Sequence, residues 1–243
     1  MGTNAAENQH TTPSIHMFRK GLTTGFPIML GYLPIAITYG VLAKQAGMTL
    51  SELTLMSVMV FAGASQLMGA NMIAVGAGAL EIIIATFVLN FRHFVMSLSF
   101  MNQLRSISLK WKAPLSLGLT DETFAVAALN SKEAKMEKGV LFYTAIILMA
   151  YLSWVFGSFL GGVLGEVIPD RLSQSMGIAL YAMFIGLLVP SVKKELKVGF
   201  IAIIAMLINT ICVYLGMSTG WAIVFGTIIG GASGIYLLKE ERS

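Results

Sequence analysis

The sequence predicts an all-α polytopic membrane protein with six full transmembrane helices plus two broken or re-entrant segments. Three observations predict it. Only 12% of the 243 residues are charged, about half the roughly 25% typical of a soluble domain. Hydrophobic residues make up 56% and the mean hydropathy is +0.78, which leaves too little polar surface to cover a soluble core. The apolar residues fall into runs near the ~20 residues a bilayer crossing needs, with short basic clusters between them.

Residues 1–18 are polar and lack the apolar core of a cleavable signal sequence, so they read as a disordered tail. His10 and His16 fall in that tail and are assigned no chemistry. Residues 19–239 then form a single transmembrane domain. Its apolar segments run 22–46, 53–75, 79–102, 115–130, 139–165, 174–191, 198–216 and 220–238. Two of these are unlike the rest. Segment 115–130 is short and carries Asp121 and Glu122, and segment 53–75 is interrupted by Gly63, Ser65, Gln66, Gly69 and Asn71.

Charge placement decides how those two are read. The net charge of +4 resolves into clusters at Arg19 and Lys20; Arg105, Lys110 and Lys112; Lys132, Lys135 and Lys138; Lys193, Lys194 and Lys197; and Lys239 and Arg242. If 53–75 and 115–130 each enter and leave on one side, every cluster falls on the cytoplasmic face of a bacterial inner membrane, as the positive-inside bias favours. Both termini are then cytoplasmic. The alternative is seven or eight full spans with a weaker charge bias. Either way the basic residues serve topology, and no nucleic-acid partner is expected. The single cysteine, Cys212, lies in an apolar run, so no intrachain disulfide and no metal site or cofactor is expected.

The remaining segments read as packing helices. Gly157, Gly161 and Gly165 recur every four residues, as do Gly226, Gly230 and Gly234. Each set makes one smooth stripe along a helix, which lets backbones approach closely in lipid. Pro27 and Pro34 crowd the first span and remove backbone donors there.

Polar side chains inside a membrane segment are expensive and are functional candidates by default. Three groups qualify. The run Phe61-Ala62-Gly63-Ala64-Ser65-Gln66 suits a broken helix whose new N-terminus exposes amides and partial positive charge. Asn90, His93 and Ser97 share one helical face, while Arg92 points about 200° from Asn90. Asp121 and Glu122 follow Thr120, which either N-caps an acidic first turn or leaves one carboxylate to pair and one to load a proton. A phosphate-binding lysine loop and a nucleophile–base pair are missing from the sequence, so no enzyme is expected.

The order of motifs carries a resemblance. Gly31-Tyr32-Leu33-Pro34 is followed by Gly40-Val41-Leu42-Ala43, then Phe61 to Gln66, then Asn90-Phe91-Arg92-His93, then Leu119-Thr120-Asp121-Glu122. The series resembles the AzlC family of branched-chain amino acid permeases, over roughly residues 19–215. The resemblance implies a secondary transporter, driven by the proton-motive force, that exports valine, leucine, isoleucine and also methionine. It also implies a small four-span AzlD-like membrane partner. A channel or scaffold subunit for another small solute is the alternative. In the combined reading, Gly63, Ala64, Ser65, Gln66 and Asn90 bind substrate, with the 63–66 backbone receiving its carboxylate. Arg92, His93, Asp121 and Glu122 handle charge and protons, and the two broken segments enter from opposite faces.

Overall fold

The computed structural model describes residues 14–104, 107–136, 138–165, 167, 185–186 and 188–239. The expected tail up to Pro13, most of the 174–191 segment, and the basic residues Arg105 and Arg242 lie outside the described residues. Among the described residues the regular structure is helical. The helices are α1 (Ser14–Gln45), α2 (Leu50–Val60), α3 (Gly63–Ala74), α4 (Ala79–Gln103), α5 (Leu109–Leu117) and α6 (Asp121–Leu129). A 3₁₀ turn (Ser131–Lys135) leads to α7 (Gly139–Leu164), followed by α8 (Leu196–Tyr214) and α9 (Thr219–Lys239). Five of them, α1, α4, α7, α8 and α9, are long and apolar enough to cross a membrane. Residues 14–18, expected in the tail, form the first turn of α1.

Both segments singled out in the sequence are broken helices. Segment 53–75 stops at Phe61, whose φ of 42° is left-handed, and restarts at Gly63. Segment 115–130 stops at Gly118 and restarts at Asp121. With 11 and 12 residues, α2 and α3 are each about 16–18 Å long, roughly half of a ~30 Å hydrocarbon core.

Packing divides the chain into two compact units. Unit 1 is Met1–Leu30 with Val95–Leu152, and unit 2 is Gly31–Phe94 with Ser153–Ser243. In unit 2, α2 descends along α7. A Cβ at Gly162 would touch Leu50 and Leu53, Ser57 bonds Ser158, and Gly63 lies against Trp154. The chain then turns back. Gln66 of α3 bonds Ser57 of α2, and a Cβ at Gly69 would lie 3.3 Å from Met56. So the chain doubles back at the break, and α2 and α3 form a helical hairpin joined at its tip. Its tip lies at Trp154, 10 residues before the end of α7 at Leu164, or about 15 Å along the helix.

Unit 1 holds a second hairpin. Ser97 of α4 donates to the carbonyl of Ser116 at the end of α5, at 3.3 Å. A Cβ at Gly118 would overlap Ile147 of α7, so only glycine fits at that turn. The chain then returns along α7, and Tyr143 Oη donates to the carbonyl of Asn130 at 2.9 Å. At the same end Lys20 and Glu133 form an ion pair of 2.7 Å, which brings two of the basic clusters together.

The glycine stripes are packing surfaces. A Cβ at Gly161 would overlap the carbonyl oxygen of Ile37 on α1, and one at Gly157 would lie 2.7 Å from Ala36. On α9, Gly226, Gly230 and Gly234 face Ala205, Asn209 and Ile201 of α8 in the same way. Nothing lies within 4 Å of a Cβ added at Gly31. Gly161→Ala should therefore cost about 1–3 kcal/mol by overpacking, while Gly31→Ala is neutral or gains up to about 1 kcal/mol of helix propensity. Unfolding of the two variants in detergent measures the contrast; equal stability would contradict the close α1–α7 contact.

Candidate functional site

The tip of the α2–α3 hairpin is built on one side chain. Gln66 is fully buried and uses three of its four hydrogen-bonding positions. Its Oε1 accepts from the indole Nε1 of Trp154 at 2.9 Å and from the backbone N–H of Ala62 at 3.2 Å. Its Nε2 donates to Ser57 Oγ at 2.8 Å. Ser57 Oγ donates to Ser158 Oγ, and Ser158 Oγ donates to the carbonyl of Trp154, both at 2.8 Å. The circuit closes with every donor direction fixed. Four polar groups in an apolar interior are satisfied together, which is the condition for such a network to stabilise.

Aromatic packing holds the indole in place. Tyr39 stacks on Trp154 at 6.2 Å between centroids, and Tyr32 meets it edge-on at 5.6 Å. Tyr39 Oη donates to the carbonyl of Leu53, tying the group to α2. A Cβ at Gly63 would lie 2.7 Å from the indole, so glycine there lets α3 begin directly under the ring.

The start of α3 is bare of side-chain caps. Its N-cap is Ala62, which has no side-chain oxygen to offer. By contrast, Thr49 and Glu52 make a capping box on α2, and Thr120 and Thr123 make one on α6. Among the described residues, the N–H groups of Gly63, Ala64 and Ser65 remain as donors. Ser65 Oγ donates to Asn90 Oδ1 of α4, which leaves the Asn90 amide Nδ2 with no acceptor among the described residues. Gly63 and Asn90 are half-buried, whereas Ala64 and Ser65 are buried. The arrangement can present several N–H donors and a helix-terminal partial positive charge to an anion.

Arg92 and His93 lie half-buried on α4 in unit 2, and both are engaged by other residues. Asp121 and Glu122 lie half-buried in the first turn of α6 in unit 1, and both are engaged as well. The capping box explains that placement: Thr120 N–H donates to Thr123 Oγ1 at 2.8 Å, and Thr123 N–H donates to Thr120 Oγ1 at 3.2 Å. Two carboxylates at a helix N-terminus suit its partial positive charge. Among the described residues no cluster of His, Cys, Asp and Glu could hold a metal ion.

Sequence reasoning grouped Gln66 with its neighbours and missed its partners. Ser57, Trp154, Ser158 and Tyr39 were not singled out. Their signal was polarity within apolar helices: Trp154 and Ser158 stand one turn apart on the face that carries Gly161 and Gly165. Replacing Gln66 by Leu orphans the Trp154 Nε1 donor and the Ala62 N–H, at roughly 1–3 kcal/mol for each buried group left unsatisfied. Adding Trp154→Phe to Gln66→Leu should recover about 1 kcal/mol, read as non-additivity in a double-mutant unfolding cycle. Strictly additive effects would mean the two side chains are not coupled.

The sequence profile of the AzlC protein family matches residues 27–168. An uncharacterized membrane protein of Archaeoglobus fulgidus is 36% identical over 186 residues, covering 76% of this chain and 80% of its own. An uncharacterized membrane protein of Helicobacter pylori is 31% identical, covering 74% of this chain and 79% of its own. The branched-chain amino acid transport protein AzlC of Bacillus subtilis is 27% identical over 180 residues, covering 74% of this chain and 70% of its own. No solved structure matches the chain. The matched profile spans both hairpins and the three polar groups between Phe61 and Glu122, and on it the chain belongs to the AzlC family.

Proposed function

We propose that this chain is a secondary transporter that exports branched-chain amino acids, valine, leucine, isoleucine and also methionine, across a bacterial inner membrane. The observation that carries the reading is the start of α3, an uncapped helix N-terminus at the tip of the α2–α3 hairpin, with the amide Nδ2 of Asn90 beside it. A carboxylate is the anionic group common to all these substrates, and it matches that donor set. Gly63, Ala64, Ser65 and Asn90 supply the contacts, and Gln66 fixes their geometry through its circuit with Trp154 and Ser57. The name of the Bacillus subtilis relative supports the cargo class.

Arg92, His93, Asp121 and Glu122 are ionisable groups of the matched region that lie away from the helix-end basic clusters, and the proposal gives them charge balance and proton coupling. A pocket that recognises aliphatic chains separates neighbouring sizes by only about 1–3 kcal/mol per methylene, so broad specificity among aliphatic amino acids is expected. The resemblance adds a small four-span partner of the AzlD type. Surface is available for lipid or for such a partner: α8 buries none of its apolar window within the chain, and α4 buries 6%. In this reading both termini are cytoplasmic, as the positive-inside bias favours.

Cells fed valine-containing dipeptide test the reading through the intracellular valine level, with and without this chain and its partner. Asn90→Leu removes a hydrogen bond to a charged group and should raise the KM for valine about tenfold or more. Asp121→Asn and Glu122→Gln should abolish uphill efflux while protein levels hold. Normal efflux in all three variants would remove the proposed site, and uncoupler-insensitive passive flux would identify a channel.

A further inference from the structure

A cationic cavity opens on the first turns of α1, apart from every group that the transport reading employs. It measures about 530 Å³ and, among the described residues, is lined by Ile15, His16, Arg19, Lys20 and Thr23. That volume falls within the ~300–1,000 Å³ of small-ligand sites. Lys20 gives one of its ammonium protons to Glu133 at 2.7 Å, so its charge is offset. The exposed Arg19 makes no hydrogen bond or ion pair among the described residues. The Lys20–Glu133 pair also brings the 3₁₀ turn with the exposed Lys132 to this end of unit 1. Among these side chains Arg19, Lys20 and Lys132 stand against one carboxylate, and the balance favours an anion.

The helix surface below the cavity says which kind of anion. Arg19, Phe26 and Leu30 fall within about 40° of one another around the helix. Phe26 is 46% and Leu30 56% exposed, so an apolar stripe continues from the cation along the outer face of α1. From Arg19 to Leu30 the helix rises about 16 Å, which is half of a ~30 Å hydrocarbon core. Helix α1 is itself long and apolar enough to cross a membrane. A soluble anion uses only the cation. A phospholipid uses both, with its phosphate on the guanidinium, which pairs two oxygens at once, and an acyl chain on Phe26 and Leu30. A headgroup without an ammonium of its own suits the positive cavity best.

We infer that the start of α1 holds one anionic phospholipid of the adjacent leaflet, its phosphate in the Arg19–Lys20 cavity and an acyl chain along Phe26 and Leu30. The site lies wholly in unit 1, and it does not depend on what the protein transports.

Native mass spectrometry of the full chain, released from a neutral detergent, counts the lipids that stay bound. Phosphatidylglycerol and phosphatidylcholine with the same acyl chains are titrated onto wild type, Arg19→Gln and Lys194→Gln. The last removes one exposed charge in unit 2. Wild type should hold one phosphatidylglycerol at least about tenfold more tightly than phosphatidylcholine. Arg19→Gln should lose that preference, whereas Lys194→Gln should keep it within about twofold. No preference in wild type, or the same preference in Arg19→Gln, overturns the inference. Equal loss in Lys194→Gln means diffuse attraction to net charge and overturns it too. Inorganic phosphate in large excess is then added to the wild-type complex. Retained phosphatidylglycerol supports the lipid seat, and its displacement would assign the cavity to a soluble anion and overturn the lipid. Arg19 is exposed, so thermal unfolding of Arg19→Gln should match wild type; a destabilised variant is replaced by Arg19→Lys, which keeps the charge, loses the paired contact and should bind phosphatidylglycerol more weakly than wild type. Unweakened binding there overturns the guanidinium contact.

Discussion

A helix that ends inside a bilayer leaves backbone N–H and C=O groups in a solvent that cannot hydrogen-bond them. This chain breaks segment 53–75 in that position, and the rest of unit 2 is organised around making the break tolerable. Gln66 does most of it. Its single side-chain amide meets the Ala62 N–H, the Trp154 indole and Ser57, and Ser158 closes the circuit. The left-handed Phe61 shows the same constraint from the backbone side. A bulky residue in that conformation costs about 1–3 kcal/mol, and it persists because the surrounding bonds determine where the chain must turn.

Close packing follows from the same requirement. The indole can reach Gln66 only if α3 starts beneath it, which needs Gly63, and α2 can reach α7 only past Gly162. Helix α1 in turn approaches α7 through Gly157 and Gly161. With no hydrophobic effect to drive helices together in lipid, small residues and buried polar circuits are what hold them. Unit 1 solves its own break differently. Gly118 allows the turn against Ile147, and Thr120 and Thr123 cap the restart, so that break carries its acidic residues on a satisfied helix end. The start of α3, by contrast, has no side-chain cap, and that difference is why it is the candidate for receiving an anion.

Much of this was legible in the sequence. Short length and interrupting Gly, Ser and Gln marked both broken segments, and the four-residue glycine stripes marked the helix contacts, because each is a local pattern. Thr120 ahead of two carboxylates marked a helix start for the same reason. What the sequence could not supply was partnership. Gln66 looked like one more small polar residue in a run, and nothing local shows that Trp154, 88 positions away, takes up its oxygen.

The central claim is that the amides at the start of α3 hold the substrate carboxylate while the aliphatic chain is recognised loosely. Competition against radiolabelled valine binding, with valine and valinamide compared on the same purified chain, tests it most directly. The two competitors share the side chain and the amine and differ in the carboxylate. The account predicts that valine displaces the label and that valinamide is weaker by at least about tenfold, the expected worth of hydrogen bonds to a charged group. Equal displacement by valinamide would contradict it.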